Sequence, residues 1–257
     1  ESLAAEPGET AAAIATLQPG EGVASGEYPA HVTFSFRPGG GRPIELRATA
    51  VVALVGIAGQ WHFDEGGVAA DASPNHNDGT VQPGVAWAPG HRGQALRFDG
   101  AGCVEVPHSE SLSIASSITV EAWVKPERFV GNDMIVVKTD YANEYLLYAD
   151  ARGTLHGRVR NGGSGRQDVV SAPGVLEPGV WQHIAFTWDT RAARLYCNGA
   201  LLKEIETQRP AIGTNTAPMC IGGGAYAGGF HGLIDEVTIR TGALGPEDIR
   251  ALYDQAR

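Results

Sequence analysis

From residue 57 onward the chain is a succession of short extended segments separated by turns, and this pattern constrains the fold most. The 257-residue chain contains 35 glycines and 15 prolines, as many tight connections require. One helix signal stands near the C-terminus, where Pro246 suits the first helical position and Glu247 and Asp248 suit the first turn. About a dozen strands with a single terminal helix predict an all-β sandwich of two antiparallel sheets.

The N-terminal part has a different pattern. Residues 1–27 form a small, acidic leader, and residues 28–56 predict a β-hairpin with strands at 31–37 and 44–48. We therefore divide the chain into an extension, residues 1–56, and a main domain, residues 57–257. An isolated hairpin is marginally stable, so it should pair with the main domain, with an upstream domain, or with a neighbouring chain in a homo-oligomer.

Composition limits the partners and the location. The formal net charge of −10 argues against a nucleic-acid partner and against an anionic membrane surface. The apolar run 48–59 is too short to span a bilayer, so no membrane insertion is expected. The first residues lack the basic region of a signal peptide, so a signal for export would have been removed or would lie upstream.

Three cysteines do not make a disulfide framework. Cys197 and Cys220 lie in late strands that could be neighbours, and we favour a disulfide between them. Three free, buried thiols are the alternative, because cysteine is commonly buried.

Two acidic stretches point to a cation. Within residues 232–239, Leu233, Asp235, Val237 and Ile239 would share one face of a strand, so a buried Asp235 requires a partner. Residues 71–79 place oxygen-bearing side chains at every second position, as in loops that wrap a calcium ion. The alternative is an Asx-rich turn held by its own backbone hydrogen bonds. The predicted calcium ligands are Asp64, Asp71, Asn75, Asn77, Asp78 and Asp235.

Eight short motifs follow one another in the order of a known family. They are residues 63–65, 71–79, 95–100, 118–126, 181–185, 195–199, 232–237 and 243–244. On these motifs, residues 57–257 resemble a laminin-G-like domain of the concanavalin A-like type. The resemblance implies a jelly-roll sandwich, often with a structural calcium, that recognises glycans or proteins outside the cell or accompanies secreted hydrolases. The chain departs from the family in two places. The family's loop is commonly glycine-rich at the positions of Pro74 and His76, and the family often has two acids and an aromatic where this chain has Ala101, Gly102 and Cys103.

Carboxylate spacing argues against catalysis. Retaining glycosidases need two carboxylates about 5 Å apart, which on one strand requires a spacing of two residues. Asp235 and Glu236 are adjacent and would point to opposite faces. Glu204 and Glu206 have the required spacing, but they lie in a polar segment that looks solvated. We therefore expect no enzymatic activity.

A group of aromatic and basic residues is the best candidate for a ligand site. His156, Arg158 and Arg160 share one face of a predicted strand, next to a strand that carries tyrosines. An exposed aromatic with a few fixed polar groups is typical of sugar sites, and ordinary cross-strand pairs on a solvated sheet are the alternative. The predicted ligand-binding residues are Tyr141, Tyr145, Tyr148, His156, Arg158 and Arg160.

Together these features predict a non-catalytic, calcium-stabilised extracellular or cell-surface module that binds a glycan or a surface glycoprotein. The alternatives are an adhesion or assembly subunit that pairs through its hairpin, and an accessory domain of a secreted polysaccharide-degrading enzyme.

Overall fold

The structure, a computed structural model, describes residues 26–36, 44–142, 144–162, 165–207, 211–224 and 228–257. The predicted leader, up to residue 25, and the hairpin connection at 37–43 lie outside these residues. The strands of the described residues are β1 Gly26–Phe36, β2 Ile44–Leu54, β3 Ile57–Trp61, β4 Thr80–Val81, β5 Val85–Pro89, β6 Gln94–Asp99, β7 Val104–Val106, β8 Ile118–Pro126, β9 Asp133–Thr139, β10 Glu144–Ala149, β11 Leu155–Asn161, β12 Gly165–Val170, β13 Gln182–Trp188, β14 Ala192–Cys197, β15 Ala200–Glu206, β16 Met219–Ile221 and β17 His231–Thr241. A 3-10 turn at Glu110–Leu112 and helix α1, Pro246–Ala256, complete the described elements.

The strands of the main domain form two antiparallel sheets. One sheet has the order β12-β11-β10-β9-β16-β7-β4, and the other has the order β15-β14-β13-β8-β17-β6-β5, with β3 paired to β17. Sequence neighbours such as β9, β10 and β11 form a meander, whereas β16 and β17 return to the middle of the two sheets. The predicted all-β jelly roll with a short C-terminal helix is confirmed.

The N-terminal strands β1 and β2 pair along their whole length, with Ala30 opposite Ala50 at the centre. The predicted hairpin is confirmed, although both strands are longer than the alternation in the sequence indicated. Within the described residues these two strands form a sheet of their own.

One continuous apolar core lies between the two sheets. Phe98, Val120 and Phe186 contribute from the eight-stranded sheet, and Val136 and Leu147 contribute from the seven-stranded sheet. Close packing leaves no room for extra atoms at Gly157 of β11, where an added Cβ would lie 2.2 Å from Cδ2 of Phe186.

Helix α1 covers the outer side of the eight-stranded sheet. Its Ile249 packs against Ala185 and Tyr196, with Leu252 beside them, so the apolar side of the helix lies on the sandwich. Strand β13 is therefore buried on both faces. No helix among the described residues combines the length and the apolar character needed to cross a membrane.

A bulge in β17 changes which residues share a face. Pairing with β8 shifts between Asp235 and Thr238, and Glu236 has a φ of 50°. Ile234 and Val237 therefore both reach the core. The prediction that Asp235 shares a face with Val237 is wrong, because the inserted residue reverses the alternation.

The predicted disulfide between Cys197 and Cys220 is also wrong. Cys197 lies on β14 of the eight-stranded sheet, whereas Cys220 lies on β16 of the seven-stranded sheet. All three cysteines are free and buried.

Candidate functional site

The side of the seven-stranded sheet that faces away from the core, here called the outer face, carries one continuous row of side chains. Register places them directly opposite one another across six strands. Directly opposed residues in antiparallel strands point to the same side of a sheet. In spatial order the row is Glu105, Cys220, Val137, Leu146, Arg158 and Asp168.

The middle of the outer face is apolar and covered. Cys103, Met134, Val137, Leu146, Tyr148 and Cys220 form a cluster of buried side chains separate from the main core. The chain after β16 lies over this cluster, since a Cβ added to Gly224 would be 2.8 Å from Cγ1 of Val137. A ligand would therefore meet the polar end of the row rather than its centre.

That polar end is a pre-formed cluster. The rings of Tyr148 and His156 stack with centroids 4.6 Å apart. The guanidinium of Arg158 lies 5.2 Å from the Tyr148 ring centroid and donates to Tyr148 Oη at 2.8 Å and to Asp168 Oδ1 at 2.5 Å. Arg166 approaches the other oxygen of Asp168, with Nε at 2.7 Å. Burial raises the pKa of Tyr148.

Asp150 closes the cluster beside His156, with its Oδ2 3.4 Å from His156 Nε2. Burial acts to raise the pKa of Asp150, but hydrogen bonds from Arg152 and Thr154 hold it well below its ordinary range. The carboxylate is therefore ionised, and it offers a fixed negative partner to the imidazole.

The predicted ligand-binding residues separate into three places. Tyr148, His156 and Arg158 do meet on the outer face. Arg160 lies one row further along and donates to the backbone carbonyl of Tyr141, which is 53% exposed.

The assignment of Tyr145 to a ligand face is wrong. Tyr145 points into the core and donates its hydroxyl to the Leu112 carbonyl at 3.1 Å. Tyr145 and Tyr148 are three residues apart on one strand, so they face opposite sides of the sheet. Asp168, which sequence analysis missed, is paired with Arg158 by register alone.

Each carboxylate oxygen of Asp71 accepts two hydrogen bonds from neighbouring residues of the protein. Its Oδ1 accepts from the backbone N–H groups of Gln60 and Ser73, each at 2.8 Å, and its Oδ2 accepts from Ser73 Oγ and from the Asn77 N–H, each at 2.7 Å. Asp78 Oδ1 accepts from the Asp71 N–H at 2.8 Å. This is the Asx-rich turn that sequence analysis held as the alternative.

The two asparagines of the loop act as donors. Asn75 Nδ2 donates to the carbonyls of Ile57 and Ala58, and Asn77 Nδ2 donates to the Ala58 carbonyl and to Ser111 Oγ. The amides thus fasten the loop to β3. Their amide nitrogens, rather than their oxygens, make these contacts with the fold.

Asp235 and Asp64 hold a different segment, the turn between β5 and β6. Asp235 Oδ2 accepts from the N–H groups of His91 and Arg92 at 2.9 and 3.0 Å, and Asp64 Oδ1 accepts from the Gln94 N–H at 2.8 Å. Burial raises the pKa of Asp235 to about 7. In the described part of the chain, no cluster of three or more His, Cys, Asp or Glu side chains is arranged to hold a metal. The six predicted calcium ligands thus divide between the loop after β3 and the β5–β6 turn, and a calcium ion held by them stays a prediction.

A buried charge cluster under α1 was not anticipated. Glu121 Oε1 accepts from Nε and Nη2 of Arg240 at 3.1 and 3.0 Å, and its Oε2 lies 3.4 Å from Nε2 of His183. Burial acts to raise the pKa of Glu121, but the hydrogen bond with His183 and the charge of Arg240 hold it below its ordinary value. Only the order of the strands brings these residues together.

The carboxylates considered for catalysis lie on the exposed strand β15. Glu204 forms an ion pair with Arg194 of the adjacent strand, and Glu206 is opposite Ala192. Both glutamates are exposed, as expected for a solvated segment.

The geometry defines a class of protein, the lectin-like β-sandwich, in which two antiparallel sheets present polar side chains on an outer face. A family model described as the Concanavalin A-like lectin/glucanases superfamily matches residues 98–250. The chain belongs to this superfamily, and the resemblance drawn from its motifs is confirmed. The comparison with curated proteins gives no match.

Several solved structures share the fold. Domain 4 of AbnA, a GH43 extracellular arabinanase from Geobacillus stearothermophilus, in complex with arabinotriose, has a TM-score of 0.65 and 25% identity over 77% of this chain and 98% of that one. The binding domain of Paraclostridial Mosquitocidal Protein 1 has a TM-score of 0.68 and 17% identity, over 78% of this chain and 52% of that one. The binding domain of Botulinum Neurotoxin serotype G has a TM-score of 0.63 and 13% identity, over 77% of this chain and 51% of that one. This chain spans about half the length of the two toxin domains. Because their sequence identity to this chain is low, the structural similarity shows a shared fold and nothing more.

Proposed function

We propose that this protein is a non-catalytic recognition module that binds a glycan through the polar end of the outer face. The observation that carries the proposal is the fixed cluster of His156, Arg158 and Asp168 beside the Tyr148 ring. Sugar sites hold a few polar groups in place around an apolar surface, because hydroxyls need donors and acceptors at fixed positions. Here the positions are set by ion pairs between strands before any ligand arrives.

The charges of the cluster favour a neutral glycan over an anionic one. Asp168 pairs with both Arg158 and Arg166, and Asp150 pairs with Arg152 and His156. A sialic acid or uronic acid would have to compete with these carboxylates for the same cations. A neutral oligosaccharide can instead bond to the guanidinium and carboxylate edges together. A surface glycoprotein that displays such a glycan would be bound in the same way.

Similarity supports the same class of ligand and an extracellular setting. AbnA domain 4 belongs to an extracellular arabinanase and was solved with arabinotriose, and nearly the whole of that domain corresponds to this chain. We infer that this sandwich works outside the cell, where an accessory role beside a polysaccharide-degrading enzyme is consistent with the likeness. No metal ion is required by the proposed binding face.

An array of neutral and sialylated oligosaccharides that includes arabinotriose tests the proposal. Asp168→Asn removes the charge that fixes two arginines, and we expect it to lower the affinity for the bound neutral glycan at least tenfold, or about 1.4 kcal/mol. Glu204→Gln is a matched control, since Glu204 lies directly opposite Arg194 as Asp168 lies opposite Arg158. Equal binding by wild type and Asp168→Asn, or binding of sialylated glycans alone, would contradict the proposal.

A second candidate function is assembly through the hairpin. Within the described residues β1 and β2 pair only with each other, so each strand has an edge with free backbone groups. Such edges recruit strands of a neighbouring chain. Light scattering on the full chain and on a chain lacking residues 1–54 tests this idea. A monomer at every concentration in both samples would rule it out.

A further inference from the structure

Two of the three cysteines lie together on the outer face. Cys103 immediately precedes β7, and Cys220 lies on the neighbouring strand β16, directly opposite Glu105. Cys103 is two residues from Glu105, so its side chain points to the same side of the sheet as that of Cys220. Both thiols belong to the apolar cluster of the outer face.

The two cysteines also share a cavity of about 310 Å³, whose lining includes Gln82, Glu105 and Gly224. The thiol of Cys103 donates to Oε1 of Gln82 at 3.3 Å. Both side chains are buried, and this cavity is the space beside them that a small reagent would have to enter.

The chain that leaves β16 packs directly on both cysteines. A Cβ added to Gly223 would lie 3.1 Å from Cβ of Cys103, and one added to Gly224 would lie 3.2 Å from Cβ of Cys220. Both cysteines thus lie directly beneath the glycine segment that follows β16.

The two thiols have different acidities. The interaction between the two thiols lowers the pKa of Cys103 and raises the pKa of Cys220. A lower pKa gives more of the nucleophilic thiolate at neutral pH, which favours Cys103 as the first nucleophile.

We propose that Cys103 and Cys220 are a modification site that forms an intramolecular disulfide by exchange with a low-molecular-weight disulfide such as oxidised glutathione. The Cys103 thiolate attacks one sulfur of the small disulfide and releases the first small thiolate. Cys220, after losing its proton, attacks Sγ of Cys103 in the mixed disulfide and releases the second small thiolate. The two protons from the cysteines pass to the two small thiolates, and the two electrons that the protein loses reduce the small disulfide.

The bridge would tie β16 and residues 222–224 to β7. It would close a long loop between two distant parts of the sequence and thereby restrict the unfolded chain. Oxidation should therefore raise the midpoint of thermal unfolding, and a reductant should reverse the rise.

The full chain, reduced and then incubated with oxidised glutathione, provides the test. We expect the number of titratable thiols in the unfolded protein to fall from the three of the reduced chain to one. Peptide mapping should show residues 103 and 220 joined, with a protein mass lower by two hydrogen atoms. The midpoint of thermal unfolding should rise.

Cys197 provides the matched control, because it lies in the other sheet, where its thiol contacts Gln182 Nε2 and burial raises its pKa to about 11. Cys197→Ser should still form the bridge, whereas Cys103→Ser and Cys220→Ser should not form an intramolecular disulfide. Three remaining thiols, a bridge that includes Cys197, a persistent mixed disulfide, or disulfide-linked dimers would each overturn the proposal. If a variant fails to fold, the peptide map of the wild-type chain still decides.

Discussion

Replacing Asp71 should destabilise the fold more than replacing any other carboxylate of its loop. Asp71 is 5% exposed, and its two oxygens accept four hydrogen bonds, from Gln60, from Asn77 and twice from Ser73. A hydrogen bond to a charged group contributes about 1.5–3 kcal/mol. The simple sum of about 6–12 kcal/mol is an upper limit, since the loop relaxes and water reaches some of the donors. We therefore expect Asp71→Ala to lower the free energy of unfolding by about 3–5 kcal/mol.

Asp71→Asn separates hydrogen bonding from packing. The amide has the shape of the carboxylate, but its NH₂ group would face backbone N–H donors, so we expect a loss of about 2–4 kcal/mol. Asp78→Asn is the matched control. Asp78 is exposed and accepts one backbone hydrogen bond, so its replacement should cost about 1 kcal/mol or less. Urea unfolding followed by tryptophan fluorescence measures all three variants.

Metal removal completes this test. If the turn is held by the hydrogen bonds around Asp71, excess EDTA should leave the unfolding midpoint of the wild type unchanged, and added calcium should not raise it. The reasoning is refuted if Asp71→Asn costs less than about 1 kcal/mol. It is also refuted if EDTA reproduces the loss in the wild type and has no further effect on the variant. The second result would restore the calcium site predicted from the sequence.

Three further results are expected. The pKa of Asp235 is about 7 in the fold and about 3.9 when unfolded, so between these values the folded state binds a proton that the unfolded state lacks. Stability should therefore fall as pH rises from about 4 to about 7, and Asp235→Asn should remove that part of the slope in urea titrations. Gly157→Ala should lower the free energy of unfolding by about 1–3 kcal/mol, because the new methyl group overlaps Phe186; no loss would mean that β11 moves freely. Glu121→Gln should cost about 3–5 kcal/mol, because it leaves the half-buried charge of Arg240 without its partner, and the loss should be greater than that of the exposed control Glu204→Gln.

The sequence determined the strands and the class of fold. The described residues after 57 do form a succession of short strands, and α1 begins at the predicted Pro246. Strand alternation, turn residues and helix starts depend on neighbouring residues, so they can be read locally. The order of the motifs was enough to identify the superfamily, because each motif is a local element that depends on neighbouring residues.

The site was only partly predictable. His156 and Arg158 could be placed on one face from their spacing, but Asp168, which fixes Arg158, is found only through the register of β11 and β12. Tyr145 and Tyr148 were grouped by proximity in the sequence, although strand geometry puts them on opposite sides of the sheet. Residues that are close in sequence can therefore lie on opposite faces of one sheet and belong to different sites.

Tertiary structure alone decided which distant groups meet. The bulge at Glu236 turned Asp235 toward the β5–β6 turn, and sheet order kept Cys197 apart from Cys220 while it brought Cys103 to that residue. The physical reason is that strand order and register are set by pairing between remote segments and by the burial of both faces of a sheet. One inserted residue reverses every side chain that follows it in a strand, and local sequence does not show where that insertion is favoured.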